Sequence, residues 1–452
     1  MVKYSMLSSK YPYIVIGLGN TGISVANYLQ QQNKLFAVCD TRQQPQQLGK
    51  FQQGFPKVPV FCGELNPTLL QQAKQLIVSP GVSIQHPAIR AAVDAGVEIL
   101  GDVELFVRQA KAPIIAITGS NGKTSVTTIV SEMAEAAGLR VGMGGNIGIP
   151  VLDLLPKKCE LYVIELSSFQ LETTTSLQAS VAVNLNVSDD HLDRYNTFSD
   201  YLAAKQGIYQ QAGIAVINLD DPVAWRGAAI NHDVIGFTLG KQNANPEVKT
   251  YFTVRGDYLC RGEEKWLALA ELPLCSKHHL ANMLASFALG YAIGLPRVKM
   301  LQVAKTFTGL PHRCQQIARY QNVIWINDSK ATNVGAAKMA IESIGDAISG
   351  KIILIAGGDG KKAKFDALSL PIDIYCREVI LLGKDAKRFA ASLTKQTKKT
   401  FVPNLSMAVN IAQRLAQPGD AVLLSPACSS LDMFKNYIAR GEQFIKAVHA
   451  KI

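Results

Sequence analysis

Long apolar runs are missing from this chain: none approaches the ~18 consecutive residues that a membrane-spanning helix needs, so no such helix is expected. Paired cysteines are missing too. The 8 cysteines, at positions 39, 62, 159, 260, 275, 314, 376 and 428, never fall in a Cys-x-x-Cys spacing. That excludes a zinc knuckle, a redox pair and a disulfide framework, and leaves small buried hydrophobes in a reducing compartment. Glycine and proline, at 35 and 19 of 452 residues, are too few for a collagen-like or disordered chain. Fixed-period repeats and low-complexity tracts are absent. The first ten residues lack an apolar segment followed by a small-residue cleavage site, so the expectation is a cytoplasmic protein. Charge is uneven, with 46 Lys+Arg against 35 Asp+Glu, or +11. A nucleic-acid binder gathers such charge on a stripe or tail. Here the densest group is Lys361, Lys362 and Lys364, with no aromatic-interleaved basic stretch. Small polyanionic substrates fit the spread better than nucleic acid.

At roughly 100–200 residues per domain the length predicts about three domains. Short apolar runs alternate with amphipathic stretches along most of the chain. Tyr13–Ile16, Leu35–Val38 and Leu76–Val78 read as strands, with Ile23–Gln32 and Ile89–Ala95 as helices and a linker from Gly101 to Pro113. Ile114–Ile117, Leu161–Leu166 and Val181–Asn184 continue the pattern, with helical spacing over Phe198–Gln211 and Leu280–Ala292. Val234 to Trp266 reads as a small antiparallel sheet. After Pro311, strands Val323–Ile326, Ile352–Ala356, Val379–Leu382 and Ala421–Leu424 alternate with helical stretches. Alternation of this kind predicts an α/β fold with parallel sheets covered on both faces. The predicted domains are 1–101, 102–310 and 311–452: a Rossmann-like N-terminal unit, a central P-loop-containing parallel sheet with a small antiparallel sheet, and a Rossmann-like C-terminal unit.

Two glycine loops carry the chemistry. Gly17-Leu18-Gly19-Asn20-Thr21-Gly22 follows a strand and opens a helix, and Asp40 closes the next strand. Glycines there let backbone amides approach a diphosphate at a helix N-terminus, and the acid could take a ribose hydroxyl. Taken alone this is a nicotinamide-dinucleotide fingerprint, or else an unliganded tight turn; it supports a diphosphate near Gly19 without identifying the rest. Gly119-Ser120-Asn121-Gly122-Lys123-Thr124, followed by Ser125, is a shortened phosphate loop: the first glycine of a full Walker A pattern falls on Ile117. Backbone donors would cradle phosphates, Lys123 would neutralise them and the Thr124 hydroxyl could ligate Mg²⁺. Hydride transfer needs no such second loop. A nucleotide-linked substrate consumed together with ATP explains both.

Around these loops stand residues with plainer alternatives. Glu165 ends a strand where a second carboxylate for Mg²⁺ is expected, or is a solvated strand-end acid. His191 follows Asp189-Asp190; Asn146 lies in Gly144-Gly145-Asn146-Ile147-Gly148 and could be ordinary turn chemistry. Lys205 sits on a predicted helix; as an ammonium near a divalent ion at ~4 Å it would be repelled by roughly 8 kcal/mol at an effective dielectric of ~20. It is therefore either away from the metals or chemically converted. Pro311-His312-Arg313, Asn327-Asp328-Ser329-Lys330-Ala331-Thr332-Asn333, Gly357 to Lys361 and Ser425 to Ser430 sit at or near strand ends, where open α/β sheets bind ligands.

Thr118 to Thr124, the N-terminal glycine loop with Asp40-Thr41-Arg42 and Ser79-Pro80-Gly81, Asp328 to Asn333 and Ser425 to Asp432 together resemble the Mur ligases of peptidoglycan synthesis, in their D-glutamate-adding branch. The resemblance runs over essentially the whole chain. It implies an ATP-dependent ligase: the carboxylate of UDP-N-acetylmuramoyl-L-alanine is phosphorylated by ATP, and the amine of D-glutamate displaces phosphate. It implies that Gly17, Gly19, Asn20, Thr21, Gly22, Asp40, Thr41, Arg42, Ser79, Pro80 and Gly81 hold the uridine diphosphate, with Asn146 and Gln170 positioning that substrate. Gly119 to Ser125, Asn282, His312, Arg313 and Asp328 would hold ATP. Thr124, Glu165, His191 and a carbamylated Lys205 would hold two Mg²⁺ ions, with Lys123, Glu165, His191 and Lys205 as the catalytic set. Lys330, Thr332, Lys361, Ser430 and Tyr437 would surround D-glutamate. A monomer is implied, with domain closure joining the sites. Two departures stand out: His278-His279 replaces the usual His-Asn before Asn282, and Tyr437 stands where Phe is common. The rival readings are a nicotinamide-dependent oxidoreductase, a non-catalytic ATP-binding module and a sister ligase adding another amino acid.

Overall fold

The computed structural model describes residues 11–188, 190, 194–228, 230, 233–240 and 248–451. Its N-terminal sheet contains β1 (Tyr13–Ile16), β2 (Phe36–Asp40), β3 (Val60–Cys62), β4 (Gln75–Val78) and β5 (Glu98–Leu100), in the order β3-β2-β1-β4-β5. All four pairings are parallel. Because such strands are covered on both faces, Ile14, Val15 and Ile16 are all fully buried, which is why they read as an apolar run and not as alternation. The chain leaves β1 for β2 on one side and enters β4 on the other, so the carboxyl ends of β1 and β4 form the crevice where ligands bind in open sheets.

The stretch expected to be a plain linker contains a helix, Asp102–Val107. The buried Glu104 carboxylate accepts from the amides of Thr175 and Ser176 (2.7 and 3.0 Å) and from the Ser176 hydroxyl (2.7 Å). The connection is thus pinned by backbone donors about seventy residues away, a partner no local pattern reveals.

The central sheet has nine strands: β6 (Ile114–Thr118), β7 (Val141–Gly145), β8 (Leu161–Glu165), β9 (Val181–Asn184), β10 (Ile214–Asn218), β11 (Asp233–Thr238), β12 (Thr250–Arg255), β13 (Tyr258–Arg261) and β14 (Glu264–Ala268). Their order is β14-β13-β12-β11-β10-β9-β6-β8-β7. The region read as a small antiparallel sheet belongs to this one: β11 and β12 pair in parallel, and only the β12–β13 and β13–β14 pairs are antiparallel. Two-residue turns at Gly256 and Gly262, both at positive φ, reverse the chain there. The helices Lys123–Ala136, Lys277–Ala292 and Arg297–Thr306 pack together, and their apolar residues share one core with Ile115, Ile117, Val163 and Val183 of the sheet.

The third sheet contains β15 (Gln315–Tyr320), β16 (Val323–Asn327), β17 (Ile352–Gly357), β18 (Cys376–Leu382), β19 (Lys399–Phe401) and β20 (Ala421–Leu424), in the order β15-β16-β20-β17-β18-β19. Four of these were legible as apolar runs. The edge strands β15 and β19 are half-exposed and polar, so they carry no such signal. Inserting β20 between β16 and β17 gathers the loops after Asn327, Gly357 and Leu424 at one end of the sheet. Among the described residues, no helix is long and apolar enough to cross a membrane.

Candidate active site

The first glycine loop is built by close backbone approach. A Cβ on Gly22 would lie 2.0 Å from the Gly17 carbonyl oxygen, and one on Gly17 2.9 Å from Ser79 Cβ. The Ser79 hydroxyl donates to that same Gly17 carbonyl at 3.1 Å. Gly19 is different. It caps the helix Asn20–Gln31 without a side-chain partner, and a Cβ there would meet nothing within 4 Å, so the helix N-terminus is open at that point; Asn20, Thr41 and Gly81 are exposed and Thr21 and Pro80 half-buried.

Asp40 does not offer a free carboxylate to a ribose, as the dinucleotide pattern suggested. Its Oδ2 accepts from the Leu18 amide and Arg42 Nη2 (both 2.7 Å), and its Oδ1 from the Arg42 amide and Nε (2.9 and 2.8 Å). Burial alone would raise its pKa, but the Arg42 and Leu18 hydrogen bonds outweigh it and hold the carboxyl below its usual value. Asp40 braces the loop.

In the second loop Gly119 and Gly122 take positive φ (+148° and +85°), which turns β6 into the helix Lys123–Ala136. Lys123 Nζ donates to the carbonyls of Gly119 and Ser120 at 2.6 and 3.1 Å. Lys205, only 2% exposed, comes to the same place: its Nζ donates to the Gly119 carbonyl at 2.8 Å and lies 3.4 Å from Thr118 Oγ1. Burial lowers the Lys205 pKa well below its ordinary value, and Lys123 adds to the fall. Lys205 thus stands beside the loop.

Glu165 ends β8 and is 2% exposed. Its Oε1 accepts from Asn146 Nδ2 at 2.8 Å, while Oε2 is buried without a hydrogen-bond partner among the described residues. A buried, unpartnered carboxylate oxygen costs about 1–3 kcal/mol. Carboxylate and hydroxyl oxygens, such as those of Glu165 and Thr124, are hard donors of the kind that suits Mg²⁺. The Gln170 side-chain oxygen accepts from the Ser167 amide in a capping box. His191 lies outside the described residues.

Asn282, from the helix Lys277–Ala292, reaches the loop so closely that a Cβ on Gly122 would fall 2.5 Å from its Oδ1. It lines a pocket with Ser125, Leu272, Leu274, His279 and Met283. The unusual His278-His279 pair lies here, ring centroids 4.0 Å apart. Burial lowers both, to about 4 and about 3, so both imidazoles are neutral at physiological pH.

The C-terminal unit closes the site. Arg313 Nη2 and Lys330 Nζ each donate to Thr124 Oγ1 at 2.9 Å. Asn333 caps the helix Val334–Ala347 and donates to Asn121 Oδ1 (3.4 Å) and Asp190 Oδ2 (3.1 Å). Burial lowers the pKa of Arg313, and burial with Arg313 nearby brings Lys330 down to about 7. The Tyr437 ring lies 5.2 Å from Lys330 Nζ. Asp328 is a support: Oδ2 accepts from Ser425 Oγ (2.7 Å) and Oδ1 from the Cys314 amide (3.1 Å), and burial raises it to about 6. His312 pairs with Asn327 at 2.9 Å. Thr332 follows Lys330 on its loop, and Lys361 and Ser430 lie on loops tied by the Asp359–Ser429 backbone pair (3.0 and 2.8 Å).

Two arginines were missed. Arg440, 3% exposed, donates Nε to Ser329 Oγ (3.0 Å), Nη2 to the Ser329 carbonyl (2.8 Å) and Nη1 to the Cys428 carbonyl (3.1 Å). It thereby joins the Lys330 loop to the Ser430 loop. Its spacing of four from Phe444 and eight from Val448 placed it on the buried stripe of its helix, a signal that was available. Arg194 contacts the N-terminal loop after β4, and nothing local announces that.

Four basic side chains, Lys123, Lys205, Arg313 and Lys330, thus surround the loop, with Glu165 and Asp190 as neighbouring acids. The imbalance favours a polyanion. Comparison with known proteins agrees. Family models match in three segments: the Mur ligase MurD-like N-terminal domain over 11–101, the Mur ligase middle domain over 117–290 and the Mur ligase glutamate ligase domain over 312–428. UDP-N-acetylmuramoylalanine--D-glutamate ligase of Marinobacter nauticus is 48% identical over 442 residues, covering 97% of this chain and 98% of the relative. That of Pseudomonas aeruginosa is 48% identical over 447 residues, covering 98% and 99%. The fold is shared with UDP-N-acetylmuramate-alanine ligase MurC of Thermotoga maritima (TM-score 0.62, 16% identity, 97% and 99% covered). MurF from Acinetobacter baumannii shares it as well (TM-score 0.59, 16% identity, 97% and 90% covered). With all three segments matched and nearly half the residues shared along the full alignment, the chain belongs to the Mur ligases, a family of ATP-dependent ligases.

Proposed function

We propose that this protein joins D-glutamate to UDP-N-acetylmuramoyl-L-alanine with cleavage of ATP, a cytoplasmic step of peptidoglycan synthesis, and acts as a monomer. The observation that carries the reading is the convergence of the Arg313 and Lys330 side chains, from the C-terminal unit, on Thr124 of the phosphate loop, with the buried Glu165 carboxylate among their charged neighbours. The names of the relatives supply the substrates. Residues 1–101 take the UDP-substrate, 102–310 take ATP, and 311–452 bring the amino acid.

The open helix N-terminus at Gly19 receives the diphosphate, and Ser79 and Arg42 hold the loop that shapes it. The substrate carboxylate attacks the γ-phosphorus of ATP, and ADP leaves with the electron pair of the broken P–O bond. Lys123 and Arg313 stabilise the charge that accumulates on the phosphoryl oxygens. The acyl carbon then bears a leaving group it lacked. The D-glutamate amine, entering as the free base, adds to that carbon; the tetrahedral adduct expels phosphate, and the one proton the nitrogen loses leaves with that phosphate. Lys330 and Tyr437 border the place from which the amine approaches, with Thr332, Lys361 and Ser430 on the loops around it. Thr124 and Glu165, with His191 and carbamylated Lys205, would hold two Mg²⁺ ions, which when bound neutralise phosphate charge.

Phosphate release is expected to require the UDP-substrate and D-glutamate together, with the ligated product identified by mass and L-glutamate inert. Equal ATP turnover without the UDP-substrate, or a product carrying another amino acid, would overturn the assignment.

A further inference from the structure

Arg194 is the side chain through which the central unit grips the ligand-bearing loop of the N-terminal unit. Its Nη1 donates to the Pro80 carbonyl and its Nη2 to the Val82 carbonyl at 3.1 Å. The guanidinium lies 3.9 Å above the Phe169 ring and 3.4 Å from Glu172 Oε2. Ser79, which begins the gripped loop, is the residue that bonds to Gly17 in the diphosphate cradle.

From Phe169 the contact continues to the other cradle. Phe169 stacks on Tyr195 (centroids 5.8 Å, planes 21° apart), and Tyr195 packs on Tyr201 at 5.4 Å. The Tyr201 hydroxyl hydrogen-bonds Ser120 Oγ of the phosphate loop at 2.9 Å, and its ring lies 5.0 Å from Lys205 Nζ. One side chain and three rings therefore connect Pro80 with Ser120. Other contacts join the two units, such as Ser24 Oγ with Asp153 at 2.7 Å, but that one ties a helix and not the loop that borders the ligand.

A planar fork suits this place. Two carbonyls two residues apart, a carboxylate and a ring face are satisfied at once by a guanidinium; an ammonium can serve one or two of them. The reaction needs the spacing held, because a misplacement of about 1 Å can cost a factor of about 100 in rate.

We propose that Arg194 is a positioning residue for ligation: by clamping the Ser79–Val82 loop to the phosphate loop through Phe169, Tyr195 and Tyr201, it fixes the spacing between the bound diphosphate and the carboxylate to be phosphorylated. The proposal rests on the reading of function given above. It also makes a claim about the loop that holds without it.

The test uses full-length Arg194→Ala, Arg194→Lys and Tyr201→Phe, alone and combined. In Arg194→Ala, kcat falls about 100-fold and KM for the UDP-substrate rises, while KM for ATP stays within about twofold. Free guanidinium ion restores part of the activity of Arg194→Ala, and Arg194→Lys keeps more activity than Arg194→Ala. Tyr201→Phe costs less in the Arg194→Ala background than in the wild type, as expected of two members of one chain of contacts. Amide exchange over residues 79–84 speeds up by roughly tenfold in Arg194→Ala. The proposal is overturned if kcat is unchanged. It is equally overturned if KM for ATP rises in step with the loss, melting temperature drops and guanidinium does nothing, since that is general loosening. A wild-type protein that performs no ligation would sink the assigned function instead; exchange over 79–84 then decides the clamp by itself, and an unchanged rate removes it.

Discussion

Lys205→Ala tests the least expected juxtaposition in the site. Lys205 Nζ and Lys123 Nζ donate to one carbonyl oxygen, that of Gly119, at 2.8 and 2.6 Å. The two nitrogens therefore lie within about 5.4 Å, where two ammonium charges repel by about 3 kcal/mol at an effective dielectric of about 20. A neutral amine removes that repulsion, and a neutral amine is the form that adds CO2. The resulting carbamate reverses the sign to an attraction of similar size, keeps one N–H to donate to Gly119, and presents oxygens to a metal. To the extent that the carbamate's charge acts on the transition state, losing about 3 kcal/mol corresponds to about a hundredfold in rate. The expected results are a loss of that order in Lys205→Ala, partial rescue by a short carboxylic acid, and no response of the variant to bicarbonate. Wild-type protein stripped of CO2 should lose activity and regain it with bicarbonate. Phosphate release gives the rates, and ¹³C NMR after labelled bicarbonate gives the adduct. Full activity in Lys205→Ala, or wild-type activity indifferent to CO2 with no carbamate signal, would refute the reasoning.

The two glycines of the first loop should separate function from folding. Gly19→Ala enters open space, so melting temperature holds while KM for the UDP-substrate rises; Gly22→Ala drives a Cβ to 2.0 Å from the Gly17 carbonyl oxygen and should fail to fold. Equal melting temperatures for both variants would contradict this. Arg440→Lys loses at least one of three buried hydrogen bonds, about 1–2 kcal/mol of stability by chemical denaturation, and should raise KM for D-glutamate more than KM for ATP. An unchanged D-glutamate KM would show that joining the two loops is immaterial. Lys330 stands at about 7 in the folded protein against an ordinary 10.5. Across that window the unfolded chain holds a proton that the folded chain has released, so this group makes stability rise with pH; below about 7 both states hold it and the penalty is constant. Lys330→Met should flatten the rise between about pH 7 and 10, and parallel denaturation midpoints for the two proteins would exclude it.

Much of this protein was legible in its sequence because some signals are local. Glycines at Gly17, Gly22, Gly119 and Gly122 mark places where backbone must approach backbone or take positive φ. Doubly covered strands such as β1, β6 and β17 appear as unbroken apolar runs because both faces are buried. From these came the alternation of strands and helices and the two glycine loops; the family came from the resemblance of those loops and the later motifs to the Mur ligases. Tertiary structure decided what the charged side chains do. Asp40 turned inward to its own loop, Glu165 was left with one bare oxygen, Lys205 arrived at the carbonyl held by Lys123, and Arg194 and Arg440 became cross-links. A backbone requirement is written within a few residues of itself. The pairing of Lys205 with Gly119 spans 86 residues, and the helix Phe198–Gln206 brings those atoms together by hydrogen-bonding to the loop through Tyr201 and Lys205.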